Sequence, residues 1–392
     1  AGDEIFYSKY TDEIRFTSPV SGVLKEIKRG AKRKVLEVII EADPQDVYRD
    51  FGKMDASKAE AKDVKERILE SGCGAFIYQR PYDIVADPKD TPKAIFISAV
   101  TTAPLAGDKG FIIKDKIAAF QEGVNALKKL TPGAVHVSVD DHSAQYLKSI
   151  QGVELHHVKG PHPAGNVGVQ IHNIDPINRG ERVWTIGVED VATIGTLFLT
   201  GEYHAERTIA VAGSEATNRK YYKTKIGANV SDLIGQVSDE VRIISGDVLT
   251  GTQLSNNQYV GFFENEVSLI PEGKNYRLFG WLPFTYNNIH SHSHTSLSWL
   301  FPNKKYTPTT NLNGEERALV VTGEMEEVLP MDIYPMQLIK ACMAGDIEKM
   351  ENLGIYEVAP EDFAAVEYVN TSKIEIQEVI RLGLDLMITE VG

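Results

Sequence analysis

The stretch from Gly160 to Ile234 constrains this chain more than any other. It runs Gly160-Pro-His-Pro-Ala-Gly165, Val183-Trp-Thr-Ile-Gly-Val188, Leu197-Phe-Leu-Thr-Gly-Glu202, Arg207-Thr-Ile-Ala-Val-Ala-Gly213, then Lys225-Ile-Gly-Ala-Asn-Val-Ser-Asp-Leu-Ile234. In physical terms this is a Pro/Gly loop, a strand, a helix whose apolar face ends at Gly201, a strand closed by Gly213, and a new unit. That order fits the edge of an α/β domain passing into a small second domain. Upstream, strand patterns at 94–97, 134–139 and 153–158 alternate with helical patterns at 115–129 and 142–150. Alternation of this kind predicts a parallel sheet with right-handed crossovers. The strand at Val183, the helix at 188–199 and the strand at Arg207 should close it, making residues 56–213 one α/β domain.

The flanks read differently. Residues 1–44 have the texture of a partial biotinyl/lipoyl-like β module, with Phe16-Thr-Ser-Pro-Val-Ser-Gly-Val-Leu-Lys-Glu-Ile27 alternating around a Pro/Gly turn. Its opening strands are expected upstream of Ala1. No lipoyl- or biotin-type lysine hairpin is present, so Lys9 reads as a surface residue. Residues 44–55 form a linker. Ser57 and Glu60 then suit a capping box for a helix presenting Val64, Ile68 and Leu69. Residues 214–310 change to short strands and turns, a β-grasp-like (SLBB-type) insert whose best strands begin at Arg242, Tyr259 and Glu266. Residues 311–392 form a helical tail; Ser372 and Glu375 should cap its last helix, which shows Val379, Leu382 and Leu386 on one side. The fold class expected is thus α/β multidomain: β module, parallel-sheet domain, β-grasp-like insert, helical tail.

Charge narrows the function. The net charge is −14, yet residues 311–392 alone hold 17 acids and 5 bases. Such a lobe repels nucleic acid and anionic lipid, and no basic stripe compensates. It reads as a solvated helical face or as a handle for a basic patch on a partner. No uncharged apolar run approaches the roughly 18 residues of a membrane span. The cysteines, Cys73 and Cys342, cannot supply the four thiolates of an ordinary iron–sulfur cluster, and both read as small buried residues in a reducing setting.

Site motifs are scarce. Gly72-Cys-Gly74 follows a helix and has Ile77 where a third dinucleotide glycine belongs, so it reads as a helix end. No phosphate loop and no nucleophile elbow is present. His290-Ser-His-Ser-His294 reads as surface histidines with possible adventitious metal binding. Asp140-Asp141 suits the cap of the following helix better than acid–base work. His156-His157 and His162 fall near the carboxyl end of an expected parallel strand, where α/β sheets bind ligands. The Pro161/Pro163 loop serves equally as a rigid turn.

Several long segments, in order, resemble one family. They are Phe16-Thr-Ser-Pro-Val-Ser-Gly22, Gly160-Pro-His-Pro-Ala-Gly165, Leu199-Thr-Gly-Glu202, Arg242-Ile-Ile-Ser-Gly246, Val267-Ser-Leu-Ile-Pro-Glu-Gly273, Leu278-Phe-Gly-Trp281, Thr310-Asn-Leu-Asn-Gly314 and Met331-Asp-Ile-Tyr-Pro335. Together they resemble the A subunit of the bacterial sodium-translocating NADH:quinone oxidoreductase. The resemblance implies a peripheral subunit at the cytoplasmic face of the inner membrane, with the membrane and cytoplasmic subunits of the same complex as partners. It implies no cofactor on this chain, within a complex using NADH, flavins, iron–sulfur centres, quinone and Na+. The fold is similar to the flavoprotein subunit of complex I and the Rnf C subunit. Their glycine-rich flavin loop is replaced here by Ser71-Gly-Cys-Gly-Ala-Phe-Ile-Tyr78, and their acidic loop by Ser98-Ala-Val-Thr-Thr-Ala-Pro104. The vacated flavin cleft becomes a candidate quinone site, lined by Ala75, Phe76, Tyr78, Thr101, Thr102, His162 and Gly165. Electrons would come from another subunit. The alternatives are a flavoprotein dehydrogenase subunit and a pure interaction scaffold.

Overall fold

A computed structural model describes residues 1–275, 277–280, 282 and 297–392. The chain opens with β1 (Glu4–Tyr7) and β2 (Arg15–Thr17), paired antiparallel, and then the hairpin β3 (Gly22–Arg29) and β4 (Val35–Ala42). Phe6 stacks on Phe16 at 4.6 Å between ring centroids, closing the first pair. The linker crosses to the end of a later helix, where Phe51 N donates to Gly201 O and Met54 N to Phe198 O. Helix α1 (Ala61–Glu70) follows, burying Val64 and Ile68 as its spacing demands. The capping box does not form. Ser57 turns its hydroxyl to Asp55 at 2.5 Å, and Glu60 occupies the cap position without a side-chain bond.

Next come β5 (Tyr78–Arg80), β6 (Ile84–Val85), β7 (Ala94–Ala99), α2 (Lys109–Ile113), α3 (Ile117–Leu127), β8 (Val135–Val139), α4 (Ala144–Leu147), β9 (Glu154–His157), α5 (Val167–Ile174), β10 (Val183–Thr185) and α6 (Val188–Thr200). The helix expected over 115–129 is therefore preceded by a separate short one, and that over 142–150 is trimmed. The strands form one sheet in the order β6-β5-β10-β7-β8-β9. Strands β10, β7, β8 and β9 run parallel; β5 and β6 add an antiparallel edge. Ile95, Ile97, Val137 and Val139 are buried to 1% or less, as a sheet covered on both faces requires. Helices α3 and α6 cross against it with almost no separation. A Cβ on Gly195 would lie 1.6 Å from Ala119 O, and one on Gly123 2.0 Å from Val191 O, so only glycine permits the crossing.

The strand at Arg207 departs from expectation. As β11 (Glu206–Ala212) it leaves the parallel sheet and heads a second one, completed by β12 (Lys220–Lys225), β13 (Val241–Ser245), β14 (Thr252–Leu254) and β15 (Glu266–Pro271) in the order β12-β11-β15-β13-β14, with α7 (Val230–Ile234) alongside. The hydrophobic pattern of a buried strand is the same whichever sheet receives it; pairing with β12 and β15 decided the matter. The segment beginning at Tyr259 is not a strand either. It bends at Gly261, and Phe262 and Phe263 leave the second sheet to pack on Phe76 at 5.3 Å and Tyr78 at 5.0 Å.

The tail folds as α8 (Pro335–Ala344), α9 (Ile347–Asn352), α10 (Ala364–Val369) and α11 (Ile376–Glu390) around Leu338, Ile339, Phe363 and Val366. Helix α11 buries Ile376, Ile380, Leu384 and Met387. Val379 and Leu386 only flank that face, and Leu382 is 60% exposed, because the packed stripe is rotated from the expected one. Ser372 does not cap α11; its hydroxyl donates to Ala318 O. The tail docks on the sheet through Arg80, which is buried at the end of β5 with Glu361 Oε1 at 2.7 Å and Asp362 Oδ2 at 3.4 Å.

Candidate functional site

The parallel strands end in loops that converge on one region, as the rule for open α/β sheets anticipates. After β7 the chain passes through Thr101 and Thr102. Thr101 N donates to Asp140 Oδ2 at 3.1 Å, and Thr101 Oγ1 accepts from Lys109 N at 3.1 Å. Asp140, just beyond β8, also accepts from Ser143 N at 2.8 Å and His142 N at 3.0 Å, which is the capping role expected of it. The 160–165 loop is pinned to β7 by Ser98 Oγ donating to Gly165 O at 2.8 Å, with Gln170 Nε2 donating to Ser98 Oγ at 3.0 Å. A Cβ on Gly165 would meet Thr102 Oγ1 at 2.5 Å, so glycine is needed for this approach.

One histidine stands out within this loop cluster. Thr102 Oγ1 accepts from Gly165 N at 2.9 Å and lies 3.3 Å from His162 Nδ1. With one lone pair so used, the threonine hydroxyl can either donate to Nδ1 or accept from it, and in the first arrangement the proton of the neutral ring lies on Nε2. Burial lowers the His162 pKa, against the opposing charge of Asp247, so the neutral form is favoured. His162 Nε2 is buried without a hydrogen-bond partner. A buried polar atom in that condition costs free energy until a ligand or water satisfies it.

The acids around it are perturbed. Burial pushes Glu264 up to about 7, with Glu266 and Asp247 adding to the effect. Burial likewise raises Glu266 to about 7, although Gly107 N donates to its Oε2 at 2.7 Å. Glu361 is pushed upward by burial and by Asp362, while its ion pair with Arg80 opposes the shift. The Lys109 ammonium, half-buried at the start of α2, is lowered by desolvation, while Glu361, Glu266, Asp140 and Asp247 pull it back up. Lys109, Glu264, Glu266, Glu361 and Asp247, from three parts of the chain, thus lie within electrostatic reach of one another, and Glu264 and Glu266 are raised to near neutrality.

The seven residues singled out from sequence fall into two groups. Thr101, Thr102, His162 and Gly165 lie together in the loop cluster. Tyr78, edge-on to Phe263, feels the charge of Glu264, as His162 feels that of Asp247. Ala75 and Phe76 lie deeper, at 0% and 2% exposure, so they back the wall that Tyr78 presents. Sequence reading missed Lys109, Glu264, Glu266 and Glu361, which sit in three separate segments; the one signal was the pair of aromatics preceding Glu264. Burial raises the thiols of Cys73 and Cys342 to about 12, so both are inert packing groups. His156 turns away to His136, and the 290–294 histidines fall outside the described residues. A surface groove of about 750 Å³, lined by residues including Glu316, Lys340 and Met343, lies on the tail and carries none of this acid–base set.

Sheet order and loop convergence define the class: a mixed α/β multidomain protein whose parallel strands end in a cluster of converging loops. Comparison with known proteins narrows the class to a family. Residues 1–43 match the NqrA N-terminal barrel-sandwich hybrid domain, 59–203 the NqrA second alpha/beta domain and 208–256 the NQRA C-terminal domain. The A subunit of the Na(+)-translocating NADH-quinone reductase of Saccharophagus degradans is 36% identical over 98% of this chain and 87% of its own length. Its counterparts from Vibrio campbellii and Yersinia pestis bv. Antiqua are each 35% identical, over 99% and 97% of this chain and 89% and 86% of their own. The chain belongs to this family of A subunits. A chain of an NAD+-reducing NiFe-hydrogenase aligns with 9% identity and a TM-score of 0.44 over 86% of this chain and 64% of its own, too slight a likeness to argue from. No helix among the described residues is long and apolar enough to cross a membrane.

Proposed function

We propose that this chain serves as a peripheral subunit of a sodium-translocating NADH:quinone oxidoreductase, held at the cytoplasmic face of the membrane by its partner subunits, and that its cleft receives the quinone ring. The observation that carries the reading is the buried, unpartnered His162 Nε2 in the loop cluster that ends the parallel strands. Asp247 acts on His162 and also on Glu264 and Glu266, which are raised to about 7. A quinone carbonyl oxygen needs a hydrogen-bond donor, and reduction to the quinol consumes two electrons and two protons. His162 Nε2–H supplies the donor. Glu264 and Glu266 supply protons, and a partner subunit delivers the electrons. Thr101 and Thr102 position the loop, and Tyr78 with Phe263 offers an aromatic wall for a planar ring.

Two alternatives are weighed against particular contacts. A flavoprotein dehydrogenase would need the glycine-rich loop region open, but Phe76 stacks on Phe262 at 5.3 Å there. This supports the absence of a flavin in that position. A pure scaffold draws support from the acidic tail and is compatible with ligand binding in the cleft. Labelling with a photoreactive quinone tests the reading. Peptides containing Tyr78, Thr102 or His162 should carry the label, and His162→Gln should lower affinity about tenfold, the worth of one hydrogen bond to a buried group. Label confined to the 311–392 tail, with affinity unchanged in the variant, would refute it.

A further inference from the structure

A second constellation lies on the far side of the parallel sheet's last ladder, away from the cleft. Strands β8 and β9 pair in parallel with His136 opposite Glu154 and Ser138 opposite His156. Residues two apart on a strand share a face, so Glu154 and His156 project on the same side, and that side is the one occupied by His136. The outcome is close convergence. His136 Nδ1 lies 2.9 Å from His156 Nε2 and 3.5 Å from Glu154 Oε2, and the three ligand atoms lie within 4.8 Å of one another.

We propose that His136, Glu154 and His156 form a binding site for a single zinc-class divalent cation, clipping the edge strand β9 to β8. The donor set of two imidazole nitrogens and one carboxylate oxygen suits a borderline-soft ion such as Zn2+, and three protein ligands leave a fourth position open. Zinc–nitrogen bonds of about 2.0–2.1 Å in tetrahedral geometry place two nitrogens roughly 3.4 Å apart. The 2.9 Å observed needs only a small opening, which the half-buried His156 ring can provide. His136 is the fixed ligand: its side chain is 7% exposed, and Phe96 stacks on the ring at 4.4 Å. Glu154, with its side chain 64% exposed, closes from the solvent side. With no cation bound, a proton on His136 Nδ1 can be shared between His156 Nε2 and Glu154 Oε2, and a metal ion would displace it. A cation satisfies all three lone pairs together.

The site is independent of the quinone reading, and its test must exclude the 290–294 histidines, whose spacing also invites metal. The full chain is therefore prepared with His290, His292 and His294 all replaced by Gln, stripped with chelator, and titrated with Zn2+ by calorimetry and with Co2+ by visible absorption. One equivalent should bind, the cobalt form should show the intense bands of a four-coordinate site, and zinc should raise Tm. Glu154→Gln and His156→Gln should each weaken binding at least tenfold, on the scale of losing one metal ligand. His157→Gln, a neighbour whose side chain is outside the cluster, should leave it unchanged. Because Glu154 is exposed, Glu154→Gln keeps the fold and reads the ligand alone. Absence of stoichiometric binding in the histidine-run background, or binding by Glu154→Gln and His156→Gln as tight as by the parent protein, overturns the proposal.

Discussion

At the scale of single residues, two buried carboxyls of the second sheet carry a charge that is unfavourable where they sit. Glu264 and Glu266 each have a folded-state pKa near 7 against an ordinary value of 4.5. The folded state therefore holds more protons than the unfolded one between those values. Its stability from these groups is complete below about pH 4.5 and is lost as pH rises through 7. Denaturant unfolding at pH 6, 7 and 8 should show stability falling across the series. Glu264→Gln should flatten that fall and gain about 1–2 kcal/mol at pH 8, since a tenfold change in proton affinity is worth about 1.4 kcal/mol and this carboxyl is only partly shielded. A variant that parallels the wild type at all three pH values would place the titration elsewhere. Little of this was legible in the sequence beyond the aromatic pair itself. A glutamate directly following a pair of phenylalanines carries no mark of burial until the phenylalanines are seen to dock on Phe76 and Tyr78.

At the scale of elements, two contacts hold the architecture. Helices α3 and α6 approach through Gly123 and Gly195, where backbone meets backbone. Gly195→Ala forces a methyl against the Ala119 carbonyl, which has no free rotamer to yield. The expected loss is about 3 kcal/mol, at the top of the range for overpacking, read as a lower urea midpoint. The second contact is Arg80 with Asp362 and Glu361, joining the parallel sheet to the tail. Removing one partner of a buried pair strands the other charge. Arg80→Met should thus cost about 3–5 kcal/mol, and limited proteolysis should release the 311–392 segment first. If that segment stays as resistant as in the wild type, the apolar tail core alone holds it in place. The helix and strand patterns were legible for α1, β7, β8, β9, β10 and α6. The caps at Ser57 and Ser372 were not, because Asp55 and Ala318 O competed for the same hydroxyls.

For the whole molecule, charge is distributed between internal and external uses. Of the acids in the tail, Glu361 and Asp362 face Arg80, Glu357 pairs with His172 at 2.7 Å, and Glu351 faces Arg179 at 3.4 Å. Part of the acidic excess therefore holds the tail to its own chain, and only the rest is available to steer a partner. Truncation near Asn311 would unpair Arg80, so neutralisation of surface acids is the cleaner probe. Glu315, Glu316, Glu326 and Glu390 are exposed. Changing all four to Gln should slow capture of the partner subunits at low salt and make little difference at high salt, while leaving Tm almost unchanged. Capture that is equally fast for both proteins at low salt would remove the tail from docking.

The sequence by itself determined the alternation of strands and helices over the parallel sheet, the end of α6 at Gly201, the inert cysteines and the family. These follow from local periodicity, turn chemistry and long ordered motifs, which act within a few residues or by direct resemblance. Tertiary structure alone decided that β11 joins the second sheet, which face α11 buries, and which acids lie within electrostatic reach of one another. Each of those depends on what lies opposite after the chain has folded back. A strand's pattern records that it is buried but not against which neighbour. A carboxylate's pKa is set by charges and solvent exclusion supplied from segments far away along the chain, as Arg80 is from Asp362 here.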